Sequence, residues 1–520
     1  ADNQSTYWVS RDAVPVAQAE TPVAATASVN RSEAVGGAPW PAIATPIRQL
    51  GQSIRAIPEH LLLGIAAWHP KFPAVLVASD DALGDFPPSA ASLPSLSTLT
   101  TPMDSTGSNV EGASEAAAVL PPAGSPNLSF PLQTVSQLAN VNDQTAAQMA
   151  WAYFENNWNP QTGMVNGVDG LAWATWWDQG STILGLHAAH QLGLLPEPEF
   201  GTKLSRLLDT LATSPLPTTQ LPNKAYSTDR AQMRTLSNRA DPHGQSGWSA
   251  LDMGRYFIAL HTLRVHYPQY RDRIEAIVAR YDLDQLVNDG WLWGSGAGDT
   301  GLQYWQEGRY GYEQYAAYGL QLWGITADQA LHHSPTQKGT VDGIKFVTDQ
   351  RDHANSGASH HLTNAPYLLR GLVMGWPATV RPQDENLLQV QAIRDIETGI
   401  LTAVNEDALD RPPYFLYYSI YADGQTWPAM NSSGNNFPEL RFVSTKAAFA
   451  LGSLFPQDGY CQLLRQSVQT LADTQRGYLS GRYENPDLGP NRALNVNTNA
   501  IVLESLLYQA QGDRPLTHST

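Results

Sequence analysis

The chain of 520 residues carries 48 acidic against 31 basic side chains, a formal net charge of −17, with only 15% of residues charged. This balance works against a phosphate-backbone partner, so nucleic acid is excluded, while 15 Trp and 21 Tyr favour a neutral ligand that stacks on rings. The single cysteine, Cys461, can form neither an intrachain disulfide nor a Cys-based zinc set, and no run of eighteen apolar residues is present to span a membrane.

The chain opens at Ala1 with no Met and no basic, apolar leader, as a processed periplasmic or secreted chain does and as a cut fragment also does. Residues 1–135 are rich in Ala, Pro, Ser and Thr and read as an N-terminal extension of low regularity. One apolar island, IPEHLLLGIAAWHPKFPAVLVAS, suggests a short helix and strand within it.

From about Leu138 the text turns to helical segments joined by Gly- and Pro-bearing turns. Phe200, Leu204, Leu207, Leu208 and Leu211 recur at helical spacing, as do Ile274, Ile277, Val278 and Tyr281, and Tyr460, Leu463, Leu464, Val468 and Leu471. These predict one-sided helices. Others, such as WWDQGSTILGLHAAHQLGLL, GWSALDMGRYFIALHTLRVH, VSTKAAFALGSLF and NTNAIVLESLLYQA, are apolar around most of their circumference and predict burial on nearly all sides. Outer amphipathic helices alternating with buried inner ones specify a mainly α chain, an (α/α)6 toroid over residues 136–515. Twelve helices need about 350–400 residues at ordinary lengths. Eight or nine are legible directly, and the rest are expected from 135–157 and 362–408. VDGIKFVTDQRD and PPYFLYYSIYADGQTW read as strands, so a small β insertion is expected over about 339–427.

Phosphate-loop, GxGxxG, GxSxG and HExxH signatures are absent, and the pairs His332–His333 and His360–His361 read as loop histidines because sequence neighbours point apart. The sequence therefore calls for no metal and no cofactor. Carboxylates beside aromatics at helix starts are the remaining chemistry. The densest stretch, Trp291 to Gly324, holds Glu307 in a Gly-bracketed turn and Glu313 at a helix start; Asp178, Asp252 and Glu484 have similar settings. Trp173, Trp176, Trp177, Trp248, Trp291, Trp293, Trp305, Tyr310, Tyr312 and Tyr483, with Arg255 and Arg309, are the candidate carbohydrate-binding residues. Structural readings compete: Asp178 and Asp252 as helix caps or braces, Glu313 as an ion-pair partner of Arg309. Glycoside hydrolysis needs two carboxyl groups across one bond, a protonated acid and a base or nucleophile, and helix starts converging on one end of a toroid supply them.

The strings AQMAWAYFENNWNPQTGMVNGVDG, ATWWDQGSTILGLHAAHQLGLL, LPNKAYSTD, GWSALDMGRYFIAL, QEGRYGYEQYAAYGLQLWG, TAVNEDALDRPPYFLYYSIYADGQTW and YENPDLGPNRALNVNTNAIVLESLLY resemble the bacterial domain-of-unknown-function family 3131. That family is similar to glycoamylase-like (α/α)6 domains, endo-β-1,2-glucanases among them. The resemblance implies a glycoside hydrolase acting on a poly- or oligosaccharide, with Glu307, or second Glu313, as acid and Glu484 or Asp178 as base. One departure is Ala365, where an acidic residue is expected before Pro366 and Tyr367. A glycan-binding or exopolysaccharide-assembly protein that kept the cup without the chemistry is the alternative from another class, and epimerase or lyase chemistry on the same toroid comes third.

Overall fold

The computed structural model describes residues 141–298, 301–378 and 380–518. The extension expected over 1–135, with its apolar island, lies outside the described residues. Within them, twelve helices alternate between an outer and an inner ring. In chain order these are α1 (Val141–Asn157), α2 (Trp176–Gln191), α3 (Glu197–Thr213), α4 (Ala250–His266), α5 (Arg271–Val278) and α6 (Tyr312–Gln321). The second half continues with α7 (Asp328–His332), α8 (Ala365–Leu369, extended by a π turn over Arg370–Met374), α9 (Arg381–Thr398), α10 (Thr445–Leu454), α11 (Gly459–Val468) and α12 (Val496–Ala510). Each even-numbered helix packs on the next, and α12 returns to α2, which closes the inner ring. Each odd-numbered helix lies against an inner one. The architecture is the expected (α/α)6 toroid. Helices α1, α8 and α9 fall in the two stretches that had to supply the missing members.

Burial explains why the two rings have different sequences. Outer helix α3 hides only Phe200, Leu204, Leu207, Leu208 and Leu211, starts with Glu197, Pro198 and Glu199, and turns its other residues outward. Proline early in the helix and acids in the first turn suit the free N–H groups and the positive end of the helix dipole there. Inner helix α10 buries all ten of its residues. Helices enclosed in this way approach closely only where side chains are small: a Cβ added at Gly254 on α4 would lie 2.4 Å from Ala316 Cα, and one at Gly319 on α6 would lie 2.2 Å from Gly254 O. Buried polar groups must find partners. Arg255, fully buried on α4, donates to Ser181 Oγ on α2 (2.9 Å), Tyr315 OH on α6 (3.0 Å) and Glu504 Oε1 on α12 (2.8 Å). One guanidinium thus ties four inner helices together.

Antiparallel strands fill connections between the helices. Strands β1 (Trp291–Gly298) and β2 (Gly301–Gln306) form a hairpin outside the expected insertion. Its strand pattern is hidden by Gly294, Gly296 and Gly298, residues of low strand propensity. Glycine is required because a Cβ at Gly294 would sit 2.8 Å from Glu307 Oε2, and one at Gly296 would meet the Trp305 ring at 2.6 Å. Strands β3 (Thr336–Val341) and β4 (Ile344–Asp349) join through Asp342 and Gly343, both at positive φ (49° and 79°), the signature of a two-residue hairpin turn. Strands β5 (Glu406–Ala408), β6 (Phe415–Tyr418) and β7 (Ala429–Met430) make a three-stranded sheet with β6 central. Beyond the expected insertion, β8 (Phe442–Ser444), β9 (Gly477–Tyr483) and β10 (Pro490–Leu494) lead into α10 and α12.

Candidate active site

The N-termini of the inner helices decide which acids are committed to structure and which are left over. At the start of α2, Thr175 and Asp178 form a reciprocal capping box: Thr175 Oγ1 accepts from Asp178 N (3.2 Å), and Asp178 Oδ2 accepts from Thr175 N (2.9 Å). Asn497 Nδ2 donates to the other oxygen, Oδ1, at 2.7 Å. Both Asp178 oxygens are therefore occupied, as its structural reading requires. Helix α4 likewise starts with a hydroxyl residue and an aspartate, and Ser249 Oγ accepts from Asp252 N (3.1 Å), but the return bond is missing. Glu307 arrives from the end of β2 and takes a different donor of the same helix start: its Oε2 accepts from Ala250 N, the first N–H inside the helix. Asp252 Oδ2 is left buried and without a hydrogen-bond partner among the described residues.

Asp252 lies in a partly open cup, lined also by Trp177, Leu251, Arg309, Tyr312, His360, His361, Glu406, Phe415 and Tyr417. Trp177 and Tyr312 meet edge to face at 5.8 Å, and His361 stacks flat on Tyr417 at 4.2 Å, so two walls of the cup are aromatic. Burial pushes the Asp252 carboxyl well above the usual carboxylate range, the charges of Glu307 and Asp178 add to the shift, and Lys224 opposes it. Burial likewise brings Glu307 up to about 7, against Lys224 and the N–H donors of α4. Burial drives His360 down to about 4 and His361 down to about 3, so both rings are neutral near pH 7. His360 Nδ1 accepts from Asp349 N (3.2 Å), which leaves Nε2–H to donate to Tyr310 O (2.9 Å).

Of the residues expected from sequence, the cup brings together Asp252, Trp177, Arg309 and Tyr312. The others are placed elsewhere. Glu484 is in a two-pronged ion pair with Arg394, both contacts at 2.8 Å, and accepts from Tyr418 OH at 2.6 Å; it does not line the cup. Glu313 pairs with Arg351 at 2.6 Å, not with Arg309, because Arg309 turns to Gly308 O and Ser356 Oγ. Burial raises Glu313 to about 7 while Arg351 pulls it down. Arg255 is held in the toroid axis beneath Trp177, 5.4 Å from that ring. Trp173, Trp176 and Trp248 are buried with their indole N–H groups donating to Thr235 O, Asn223 O and Trp293 O. Trp291 and Trp293 are half-buried on β1; Trp305 on β2 has Lys224 Nζ 4.9 Å over its ring. Tyr310 backs the cup through its carbonyl, and Tyr483 OH donates to Asp410 at 2.7 Å. Ala365 opens α8 and is absent from the lining.

Sequence reading missed Glu406, Phe415, Tyr417 and the His360–His361 pair. Glu406 sits in TAVNEDALD, among neighbouring acids and remote from any helix start, so nothing local separates it from Asp407. Asp407 is committed to Lys446 at 3.2 Å and to Ser444, while Glu406 accepts from Thr363 Oγ1 at 3.2 Å and faces the cup. The alternating aromatics of Phe415 and Tyr417 were the available signal. Among the described residues no three His, Cys, Asp or Glu side chains are grouped to hold a metal ion, and no helix is long and apolar enough to cross a membrane.

Residues 145–512 match the family described as "Protein of unknown function (DUF3131)". The chain belongs to the DUF3131 family. No curated protein matches this DUF3131 chain. Its fold is similar to a candidate glucoamylase from Bacteroides fragilis NCTC 9343 at 11% identity, with a TM-score of 0.52 over 76% of this chain and 97% of that one. It is also similar to a candidate glucoamylase from Bacteroides caccae ATCC 43185 at 12% identity, with a TM-score of 0.50 over 72% and 96% of the two chains. An endo-β-1,2-glucanase from Chitinophaga pinensis matches at 10% identity and a TM-score of 0.49 over 73% and 97%. The DUF3131 chain therefore shares the fold of the two candidate glucoamylases.

Proposed function

We propose that this chain is a glycoside hydrolase acting on a poly- or oligosaccharide, with Asp252 as general acid and Glu406 as the second carboxyl, base or nucleophile. The observation that carries the reading is a buried Asp252 oxygen with no partner among the described residues, in a cup that also holds a second carboxyl and four aromatic rings. An acid kept neutral by burial can give its proton to a glycosidic oxygen near neutral pH. Trp177, Tyr312, Phe415 and Tyr417 offer apolar faces on which sugar rings stack. In this assignment Asp252 replaces Glu307 as the acid, and Glu406 takes the place expected of Glu484 or Asp178.

The test is release of reducing ends from a panel of glycans that includes starch and β-1,2-glucan. Asp252→Asn and Glu406→Gln are each expected to lower turnover by about 10²–10⁴-fold, the usual worth of a positioned acid or base. Unchanged turnover in either variant would remove that residue from its role. Retardation on a glycan gel, with no shortening of the glycan on prolonged incubation, would assign the cup to binding alone.

A further inference from the structure

The inner helices α2 and α4 start alike and are finished differently. Both have a hydroxyl residue at the cap and an aspartate in the third helical position. On α2 the aspartate closes its own capping box, whereas on α4 a glutamate from outside the helix takes the first N–H. The glutamate has been accommodated: Gly294 on the adjoining strand leaves no space for a Cβ beside Glu307 Oε2, and Gly308, at φ 97°, turns the chain immediately after it. Glu307 is fully buried, so it does not reach the cup, and its Oε1 has no hydrogen-bond partner among the described residues.

We propose that Glu307 is a positioning residue, which takes the first N–H of α4 with a charged group from another element and so leaves one oxygen of Asp252, Oδ2, without a bond to its own helix. This inference rests on the reading of Asp252 as the general acid. A capping bond from Asp252 to its own helix would stabilise its charged form, as it does for an ordinary N-terminal aspartate. Glu307 instead bonds the neighbouring donor, Ala250 N, and sets a second negative charge close by, which disfavours ionisation of Asp252. Other charged or titratable groups face Asp252 from the elements around it: Asp178 on α2, Lys224 ahead of the strand Ala225–Tyr226, and Arg309, His360, His361 and Glu406 around the cup. Lys224 opposes the effect, as does a backbone hydrogen bond from Trp177 to the Asp252 carboxyl, and both histidines are neutral.

Glu307→Gln separates capping from charge, because the amide oxygen still accepts from Ala250 N while the negative charge is gone. The readout is the protonated-carboxyl stretching band of Asp252 in infrared difference spectra, assigned by its loss in Asp252→Asn and followed against pH. In Glu307→Gln the band is expected to titrate away at a pH lower by about 1 unit or more, the usual scale of a neighbouring charge. The alkaline limb of the kcat/KM profile should move with it, while a purely structural role would lower activity without moving the limb. A folded Glu307→Gln protein whose band and limb stay in place overturns the inference. It is also overturned, with no variant of Glu307 needed, if the Asp252 band of the wild-type protein titrates near about 4, the ordinary aspartate value. The two readings fail separately: wild-type turnover in Asp252→Asn removes the general acid, whereas an inactive Asp252→Asn beside an unshifted Glu307→Gln removes only the role of Glu307.

Discussion

Asp384, on outer helix α9, is fully buried, and neither of its carboxyl oxygens has a hydrogen-bond partner among the described residues. Burial raises it to about 8, Glu385 adds to the shift and Arg381 opposes it. The folded chain therefore holds a proton there that the unfolded chain releases near about 4. With the folded value above the unfolded one, stability at this site is complete below about pH 4 and is lost as pH rises towards 8, by at most about 1.4 kcal/mol per unit. Asp384→Asn is expected to stabilise the protein, negligibly at pH 4 and by a few kcal/mol at pH 8. Denaturant midpoints of the two proteins, compared at both pH values, test the sign. The same burial that makes Asp384 a liability makes Asp252 useful, and the difference is the cup beside Asp252.

Among the elements, α4 and α6 cross in close backbone contact. Gly254 and Gly319 face each other with backbone in contact, so a methyl on either has nowhere to go. Gly254→Ala is expected to cost about 1–3 kcal/mol, the range for overpacking a close contact. Gly343, in the β3–β4 turn, gives the contrast. Its φ is +79° and no atom lies within 4 Å of an added Cβ, so Gly343→Ala should cost only the strain of a left-handed residue, about 1–2 kcal/mol. Urea unfolding monitored by circular dichroism measures both. Since α4 carries Asp252 at its start, Gly254→Ala should also lower turnover, whereas Gly343→Ala should leave it unchanged.

Across the whole molecule, the ion pair of Arg255 and Glu504 spans the toroid axis at 2.8 Å with both side chains fully buried. Breaking one partner leaves the other charge in a dry interior, so Arg255→Met is expected to cost about 3–5 kcal/mol. Replacing both, as in Arg255→Met with Glu504→Leu, should recover most of that loss, because the pair itself is worth little more than well-packed apolar groups of similar volume. A thermodynamic cycle from denaturant melts of the wild type, both single variants and the double variant decides it. Additive single losses would show that the two side chains act independently.

The amino-acid order by itself determined the ring alternation. Leu and Phe at helical spacing in α3 have only one side to bury, and the sequence of α10 has nothing to turn to water, so outer and inner helices can be told apart residue by residue. The Asp342–Gly343 hairpin turn likewise follows from local backbone preference. Trp177, Asp252, Arg309 and Tyr312 were legible because each lies at a helix start among aromatics. Tertiary structure alone decided the rest. Sequence context favours Glu484 over Glu406, and the fold reverses the order: Arg394 turns Glu484 into half of an ion pair, while Glu406 lines the cup. Asp178 and Asp252 occupy the same position on sister helices, and what separates them is Glu307, which is 55 residues beyond Asp252 in the chain and is brought to α4 by a glycine hairpin. Spacing along the chain records which side of a helix must be buried. Whether a buried acid is already bonded depends on partners that only folding brings within reach.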